Sequence, residues 1–190
     1  MNKYIFASSN KNKILELSHR LPTIDIVSLE DIGYTQEIIE TGLTIEENAI
    51  IKARTIYNIY REPCISDDTA LEVDALQGRP GVFSARYGGV NSNAKNNIKK
   101  LIQDMHDVNN RRASFRTIIC LIQNNQEKLF EGVVNGVITT KVYGDKGFGY
   151  DPVFIPDGYQ KTFAQISLTE KNQISHRAQA INKLVKYLSF

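Results

Sequence analysis

Polar and basic residues at the end of the first apolar run have the composition of a phosphate-binding turn. Ser8, Ser9 and Asn10 precede Lys13 at a predicted strand-to-helix junction. Unpaired amide groups and the positive end of the helix dipole favour an anion at such a junction. The alternative is a helix N-cap followed by surface lysines, so this segment alone identifies no site. The Gly-x-x-x-x-Gly-Lys-Ser/Thr pattern of a Walker loop does not occur in the chain.

Two adjacent carboxylates, Asp67 and Asp68, follow the apolar run that begins at Cys64. Neighbouring side chains on a strand point to opposite faces, so one of the two acids can face a cleft. One or two carboxylates, completed by waters and substrate phosphates, are how proteins commonly hold Mg²⁺ beside a nucleotide. Glu40 is the candidate second carboxylate. The alternative is that the two acids cap a turn or pair with surface cations.

Three further segments carry groups suited to a nucleotide. Asn48 and Lys52 lie four positions apart on a predicted helix, within reach of one anion. The run 144–152 combines three glycines with two aromatic residues, which allows close backbone approach and stacking on a base. The run 175–177, Ser-His-Arg, offers a planar cationic fork for a phosphate or a purine carbonyl. The respective alternatives are a solvated helix face, a flexible turn and a surface pair.

The elements that must position these groups alternate between short apolar runs and amphipathic helices. The predicted strands cover 4–7, 24–29, 37–40, 64–66, 115–122 and 129–138. Predicted helices follow Asn10 and the capping boxes at Thr44 and Ser167, and a further amphipathic helix covers 93–105. The acids at 67 and 68 are expected at a strand end. Asn124-Asn125 between the last two strands is typical of an antiparallel hairpin, so the sequence predicts a mixed α/β fold.

Length and charge narrow the class of protein. The 190 residues fit a single domain spanning 1–190. Lys and Arg total 23 against 21 Asp and Glu, without a basic block, which disfavours a nucleic-acid partner. Apolar runs stay far below the roughly 18 residues of a membrane span, so no membrane partner is expected. With Cys64 and Cys120 interpreted as reduced core residues, the sequence predicts a cytoplasmic protein.

Taken together, these segments resemble the inosine and xanthosine triphosphate pyrophosphatase family over nearly the whole chain. The motifs that carry the resemblance are Ser8-x-Asn10-x-x-Lys13, Glu40-Thr41-Gly42, Glu47-Asn48-Ala49 with Lys52-Ala53, Ser66-Asp67-Asp68-Thr69, Gly81 to Tyr87, Gly147 to Pro152 and Glu170 to Arg177. Each motif alone is a weak signal. Their order and separations together are specific to the family.

The resemblance implies a two-lobed α/β fold, in which helices flank a long mixed β-sheet and the active-site cleft lies between the lobes. It also implies a homodimer and a Mg²⁺-dependent attack of water on the α-phosphorus of a non-canonical purine triphosphate such as ITP, dITP or XTP. The products are the monophosphate and pyrophosphate. Removing such nucleotides keeps them out of DNA and RNA.

The resemblance also implies roles for individual residues. Asp68 and Lys52 are the implied catalytic residues, with Asp68 as the general base and Lys52 as a contact to the triphosphate. Glu40 and Asp68 are the implied metal-site acids. The implied substrate-binding residues are Ser8, Ser9, Asn10, Lys13, Thr69, Phe148, Gly149, Tyr150, Asp151, Lys171, His176 and Arg177. Among these, Phe148 stacks on the base, and the last three contact the base and select a 6-keto purine.

The chain departs from the family pattern at three positions. Ser9 and Ala70 stand where many relatives carry glycine, and Thr69 replaces serine while keeping the hydroxyl. Ala70 is expected to disturb the loop that carries Asp68 if that position requires a positive φ. Two other functions remain open: a pyrophosphatase for pyrimidine nucleotides, as in Maf-like proteins, and a nucleotide-binding module without catalysis. The motif around Phe148 disfavours the first, and the combination of Glu40, Lys52 and Asp68 disfavours the second.

Overall fold

The computed structural model describes residues 3–89 and 93–189. The strands are β1 (Lys3–Phe6), β2 (Asp25–Ser28), β3 (Cys64–Val73), β4 (Pro80–Gly81), β5 (Arg112–Gln123), β6 (Gln126–Ile138) and β7 (Phe154–Pro156). The helices are α1 (Lys11–Arg20), α2 (Ile45–Tyr60), α3 (Ala94–Asp104), α4 (Leu168–Ile174) and α5 (His176–Leu188). Short 3₁₀ turns cover 74–76, 84–86 and 151–153.

The strands of the described ranges form one mixed sheet with the order β2-β1-β3-β5-β6-β7, and β4 pairs with β3. β1 runs parallel to β2 and β3, whereas β4 and β7 pair antiparallel with β3 and β6. The two residues between β5 and β6, Asn124 and Asn125, both have positive φ, as the predicted hairpin turn requires. The predicted mixed α/β fold is confirmed.

Helix starts follow the predicted capping residues Asn10, Thr44 and Ser167, whereas Asn93, predicted as the first residue of its helix, is the cap of that helix. Asn10, Thr44, Asn93 and Ser167 are the N-caps of α1, α2, α3 and α4, and each side chain accepts a hydrogen bond from a first-turn amide. At Thr44 the capping box is complete, because the Glu47 side chain also bonds back to the cap. These local polar signals therefore set where the site-bearing helices begin.

Three predictions about helices and strands are wrong. Residues 37–40 form neither strand nor helix, and Ile39 is 74% exposed, so the run lacks a buried face to pair against a sheet. β3 continues through Asp67 and Asp68 instead of ending there, because both carboxylates find cationic partners. The predicted single C-terminal helix is two helices, because Ser175 adopts an extended backbone (φ −67°, ψ 154°) between α4 and α5.

The expected disturbance at Ala70 does not occur. Ala70 lies inside β3, is fully buried and is absent from the residues with positive φ. An extended backbone accepts alanine without strain. The methyl group therefore gives no reason to expect a distorted strand beside Asp68.

In the described part of the chain the fold divides into two compact units, as the two-lobed expectation requires. The first comprises Met1–Asp68, Thr117–Gly132 and Arg177–Phe190, and the second comprises Thr69–Arg116 and Val133–His176. Apolar side chains of β1, β3, α1 and α5 pack together in the first unit, and those of α3, β5 and β7 do so in the second. The position of the active-site cleft stays a prediction. No described helix is both long and apolar enough to cross a membrane.

Candidate active site

The start of α1 has the predicted capping geometry. Oδ1 of Asn10 accepts hydrogen bonds from the amides of Asn12 and Lys13 at 3.0 and 3.4 Å. The amide of Asn10 donates to the hydroxyl oxygen of Ser8 at 3.3 Å, and Ser9 is exposed. Two first-turn amides are thus already bonded to the cap. A phosphate at this turn would depend mainly on the serine hydroxyls and on Lys13.

Asp67 bonds to two cations of the first unit, partly buried Lys13 and buried Arg177. Its Oδ1 accepts from Nζ of Lys13 at 2.9 Å, and its Oδ2 accepts from Nε of Arg177 at 3.1 Å. Arg177 also donates through Nη1 to Oε2 of Glu16 at 3.0 Å. Burial raises the pKa of the Asp67 carboxyl, but Lys13, Arg177 and Lys52 outweigh that effect and hold the pKa well below its usual range. The cluster is a charged network in which Asp67 is the shared partner of Lys13 and Arg177.

Lys52 lies between the two predicted metal-site acids. Its Nζ is 2.8 Å from Oε1 of Glu40 and 2.8 Å from Oδ1 of Asp68. The three side chains retain 10%, 27% and 13% exposure for Lys52, Glu40 and Asp68 respectively, so the cluster is reachable from solvent. Burial raises the pKa of Asp68 above its ordinary value, against the opposing effect of Lys52. The structure therefore brings the predicted catalytic and metal-site residues together.

The donors of this cluster fit a magnesium ion. Glu40 and Asp68 each direct a carboxylate oxygen to the same ammonium group, so both oxygens converge on one cation. Hard carboxylate oxygens are the ligands that Mg²⁺ prefers, and Mg²⁺ usually keeps several waters and bridges to substrate phosphates. Within residues 3–89 and 93–189, no group of three or more His, Cys, Asp or Glu could hold a metal. Two carboxylates match this open type of site and not an all-protein cage.

The segment that carries Glu40 is attached to the first turn of α2. The amide of Gly42 donates to Oδ1 of Asn48 at 2.8 Å, and the amide of Leu43 donates to Oε2 of Glu47 at 2.6 Å. On the other side of the cluster, the Ser66 hydroxyl donates to the carbonyl oxygen of Ala49 at 2.5 Å and joins β3 to α2. These contacts set the spacing between the acid before α2 and the acid on β3.

A glycine-rich loop of the second unit closes on Asp151. Oδ2 of Asp151 accepts from the amide of Phe148 at 2.8 Å and from Nζ of Lys171 at 2.5 Å. The same ammonium lies 4.6 Å from the centroid of the Phe148 ring. A Cβ on Gly147, where φ is +73°, would lie 2.1 Å from Oδ2 of Asp151. Only glycine therefore permits this closure, which orients Phe148.

The other predicted base-pocket residues have well-defined packing. The hydroxyl of Tyr150 donates to the carbonyl oxygen of Ser84 at 2.9 Å, and burial raises the pKa of that phenol. The ring of His176 lies 4.7 Å from that of Phe115, centroid to centroid. Gly149 has φ +61°. Tyr150 is buried and bonded to the backbone, so it stabilises the loop, whereas the Phe148 side chain is partly exposed.

The predicted residues thus form two groups, one in each unit. The first unit holds Ser8, Ser9, Asn10, Lys13, Glu40, Lys52, Asp68 and Arg177, and the second holds Thr69, Phe148, Gly149, Tyr150, Asp151, Lys171 and His176. The residues predicted to contact phosphate and metal lie in the first unit, and those predicted to contact the base lie in the second, except Arg177, which lies in the first.

Sequence reasoning missed two residues that hold site residues in place. Glu16 is a helical acid whose partner Arg177 lies 161 positions away, and no local pattern signals such a pair. From the sequence Asp67 is only one of two adjacent acids, whereas in the structure it binds both Lys13 and Arg177. Asp67 lies two residues after buried Ile65, so both side chains are on the same face of the strand and Asp67 is expected to be buried as well. A buried acid requires a cationic partner, and this was the available signal.

Comparison with known proteins places the chain in a family. The family model described as the Ham1 family matches residues 4–187. A protein from Flavobacterium psychrophilum named dITP/XTP pyrophosphatase is 52% identical over 184 residues, 96% of this chain and 97% of that protein. The solved structure of the Staphylococcus aureus Ham1 protein has 39% identity and a TM-score of 0.92, covering 99% of this chain and 98% of that one. A HAM1 protein from Coxiella burnetii has 37% identity and a TM-score of 0.93, with coverage of 100% and 99%. The resemblance drawn from the motifs is confirmed, and this chain belongs to the Ham1 family.

Proposed function

We propose that this chain hydrolyses dITP, ITP and XTP to the corresponding monophosphate and pyrophosphate in a Mg²⁺-dependent reaction. The observation that carries the proposal is the convergence of Glu40 and Asp68 on Lys52, at 2.8 Å each. The names of the relatives support the same activity, since the Flavobacterium psychrophilum protein is called a dITP/XTP pyrophosphatase. In this account the chain is a nucleoside-triphosphate pyrophosphatase, a hydrolase of the α–β phosphoanhydride.

Asp68 acts as the general base. Its raised pKa makes the carboxylate a stronger proton acceptor than an ordinary aspartate. It orients a water and takes its proton while the water oxygen bonds to the α-phosphorus. The bond from the α-phosphorus to the bridging oxygen breaks, and pyrophosphate leaves with the electron pair.

Positive charge offsets the charge of the triphosphate. Glu40 and Asp68 would hold Mg²⁺, which when bound supplies charge neutralisation at the phosphate oxygens. Lys52 and Lys13 are both ammonium groups on flexible stems, so each can turn from its carboxylate partner towards a phosphate. Asp67, which is itself bonded to Arg177, keeps Lys13 at the end of α1 beside Ser8 and Asn10.

Base selection is assigned to Phe148, Lys171, His176 and Arg177. Phe148 offers a ring for stacking, and Lys171 and His176 offer donors for the 6-oxygen of hypoxanthine or xanthine. The exocyclic amino group of adenine cannot accept the hydrogen bonds that a 6-oxygen accepts, and each buried bond lost in this way costs about 1–3 kcal/mol. ATP is therefore a poor substrate in this account. Thr69, next to Asp68 in the chain, adds a hydroxyl for substrate binding.

Assembly as a homodimer and a cytoplasmic location are part of the proposal; the first derives from the family resemblance, and the second derives from the sequence. Analytical ultracentrifugation of the purified chain tests the first point. A single species at twice the 21.5 kDa chain mass is expected, and a monomer at micromolar concentration contradicts it.

The activity is tested by pyrophosphate release from ITP, XTP, dITP, GTP, ATP and dTTP, with and without Mg²⁺. Selective release from the first three, lost when Mg²⁺ is removed, is expected. Equal turnover of GTP or dTTP would favour a broader or pyrimidine-directed pyrophosphatase. Tight binding of dITP without any turnover would favour a binding module and overturn the proposal.

A further inference from the structure

Asn48 has a buried side chain that packing alone does not explain. It is 0% exposed and lies on α2 one helical turn before Lys52, on the same face of the helix. Its Nδ2 has no hydrogen-bond partner, unlike every other buried side-chain nitrogen or oxygen in the described ranges. An apolar side chain of similar volume would avoid this unpaired donor. The amide is therefore explained by the one bond it makes, through Oδ1.

That bond fixes the backbone two residues after Glu40. Oδ1 of Asn48 accepts from the amide of Gly42 at 2.8 Å. A Cβ on Gly42 would lie 2.6 Å from this oxygen and 2.7 Å from Cβ of Glu47. The chain at Gly42 therefore packs directly on Asn48 with no space for a side chain, and the path of the backbone from Glu40 into α2 is set by this contact.

We propose that Asn48 is a positioning residue for Glu40: through Gly42 it holds the Glu40 carboxylate opposite Asp68, so that both acids face one cation. Lys52 occupies the point of convergence in this structure, one turn along the same helix face. The inference rests on the proposed function, because it assigns Glu40 and Asp68 to a cation. Residues that orient metal-binding carboxylates usually change metal affinity by about 10–100-fold when removed.

The second unit contains a matched control. Asn97 on α3 is also a buried asparagine, 5% exposed, and its Oδ1 also accepts from a glycine amide, that of Gly88, at 2.7 Å. Its Nδ2 donates to the carbonyl oxygen of Ala85 at 3.0 Å. Asn97→Ala therefore removes the same kind of loop-to-helix bond without touching the segment of Glu40.

The test compares Asn48→Ala and Asn97→Ala in the full-length chain. Mn²⁺ binding is followed by the loss of its free EPR signal without nucleotide, and Mg²⁺ half-saturation is measured for dITP hydrolysis. Asn48→Ala should weaken Mn²⁺ binding and raise the Mg²⁺ requirement about tenfold or more, with kcat at saturating Mg²⁺ largely kept. Asn97→Ala should leave both quantities unchanged while lowering the melting temperature. If Asn48→Ala binds Mn²⁺ as the wild type does, the positioning role is wrong.

A second variant guards against misfolding. Gly42→Ala disturbs the same contact from the loop side and leaves Asn48 in place, so it should also weaken Mn²⁺ binding. Failure of the proposed function gives a different result. In that case the wild-type chain releases no pyrophosphate from dITP, while Asn48→Ala still binds Mn²⁺ more weakly than the wild type. A wild-type chain that hydrolyses dITP but shows equal Mg²⁺ requirements in both asparagine variants overturns the positioning role alone.

Discussion

The ammonium nitrogen of Lys52 lies 2.8 Å from Oε1 of Glu40 and 2.8 Å from Oδ1 of Asp68. A single cationic group thus separates two carboxylates that would otherwise repel each other. The Lys52 ammonium offsets the repulsion between the two carboxylates, and in the proposed function a divalent cation would offset the same repulsion. Lys52 is therefore both a stabilising counter-ion and a group available to a phosphate.

Lys52→Gln should destabilise the metal-free protein. The variant leaves Glu40 and Asp68 facing each other without a charged partner, and loss of charge-assisted hydrogen bonds typically amounts to about 1.5–3 kcal/mol. Mg²⁺ can replace the missing charge, so added Mg²⁺ should raise the melting temperature of the variant more than that of the wild type. Thermal unfolding in EDTA and in Mg²⁺ measures this difference. Equal Mg²⁺ effects on the two proteins would argue against a cation site at these acids.

Asp67 should make the free energy of unfolding depend on pH in the acid range. Its pKa in the folded state is depressed, so the stabilisation it gives is complete above its unfolded pKa of about 3.9 and is lost as the pH falls through the lower folded value. At neutral pH, Asp67→Asn leaves Lys13 and Arg177 without their shared carboxylate and should cost about 3–5 kcal/mol. The free-energy gap between variant and wild type should narrow below pH 4.

Urea unfolding between pH 3 and pH 7 measures that gap. A gap that is constant across this range would mean that Asp67 is not the group whose charge holds Lys13 and Arg177 in place.

Gly147→Ala should weaken nucleotide binding through Asp151. Alanine there must adopt a positive φ and would place Cβ 2.1 Å from Oδ2 of Asp151, which displaces the carboxylate that holds Phe148 and Lys171. Gly158→Ala is the control, because Gly158 also has positive φ (+82°) but has no atom within 4 Å of its added Cβ. Both variants should lose about 1 kcal/mol of stability from backbone strain.

Only Gly147→Ala should also raise KM for dITP. Steady-state kinetics of the two variants separate the backbone effect from the effect on the loop. Equal KM values in both variants would remove the Gly147–Asp151 loop from substrate binding.

Local signals in the sequence predicted where helices start but not where polar residues are tolerated inside strands. Asn10 and Thr44 were recognisable as caps because their side chains act on amides within three residues. Asp67 and Asp68 were expected to end a strand, yet β3 continues through both, since their cationic partners come from distant segments. The apolar residues of the run 37–40 favour a strand, but composition alone does not show whether a neighbouring strand is available to pair with it.

The break at Ser175 was missed for a related reason. Apolar positions on both sides of it keep helical spacing because α4 and α5 are each amphipathic, so periodicity does not detect one extended residue between them. Family motifs, in contrast, predict residues in both groups, and their roles stay predictions, whereas long-range pairs such as Glu16–Arg177 are visible only in the fold.

The most direct test of the account is the release of products from dITP by the wild type and by Asp68→Asn at equal Mg²⁺. The wild type should release dIMP and pyrophosphate in equal amounts, and Asp68→Asn should remain folded but turn over about 10²–10⁴-fold more slowly, the usual contribution of a general base. Asp74→Asn, at an exposed acid in the same region of the chain, should behave as the wild type. Wild-type turnover by Asp68→Asn, or release of orthophosphate in place of pyrophosphate, would contradict the account.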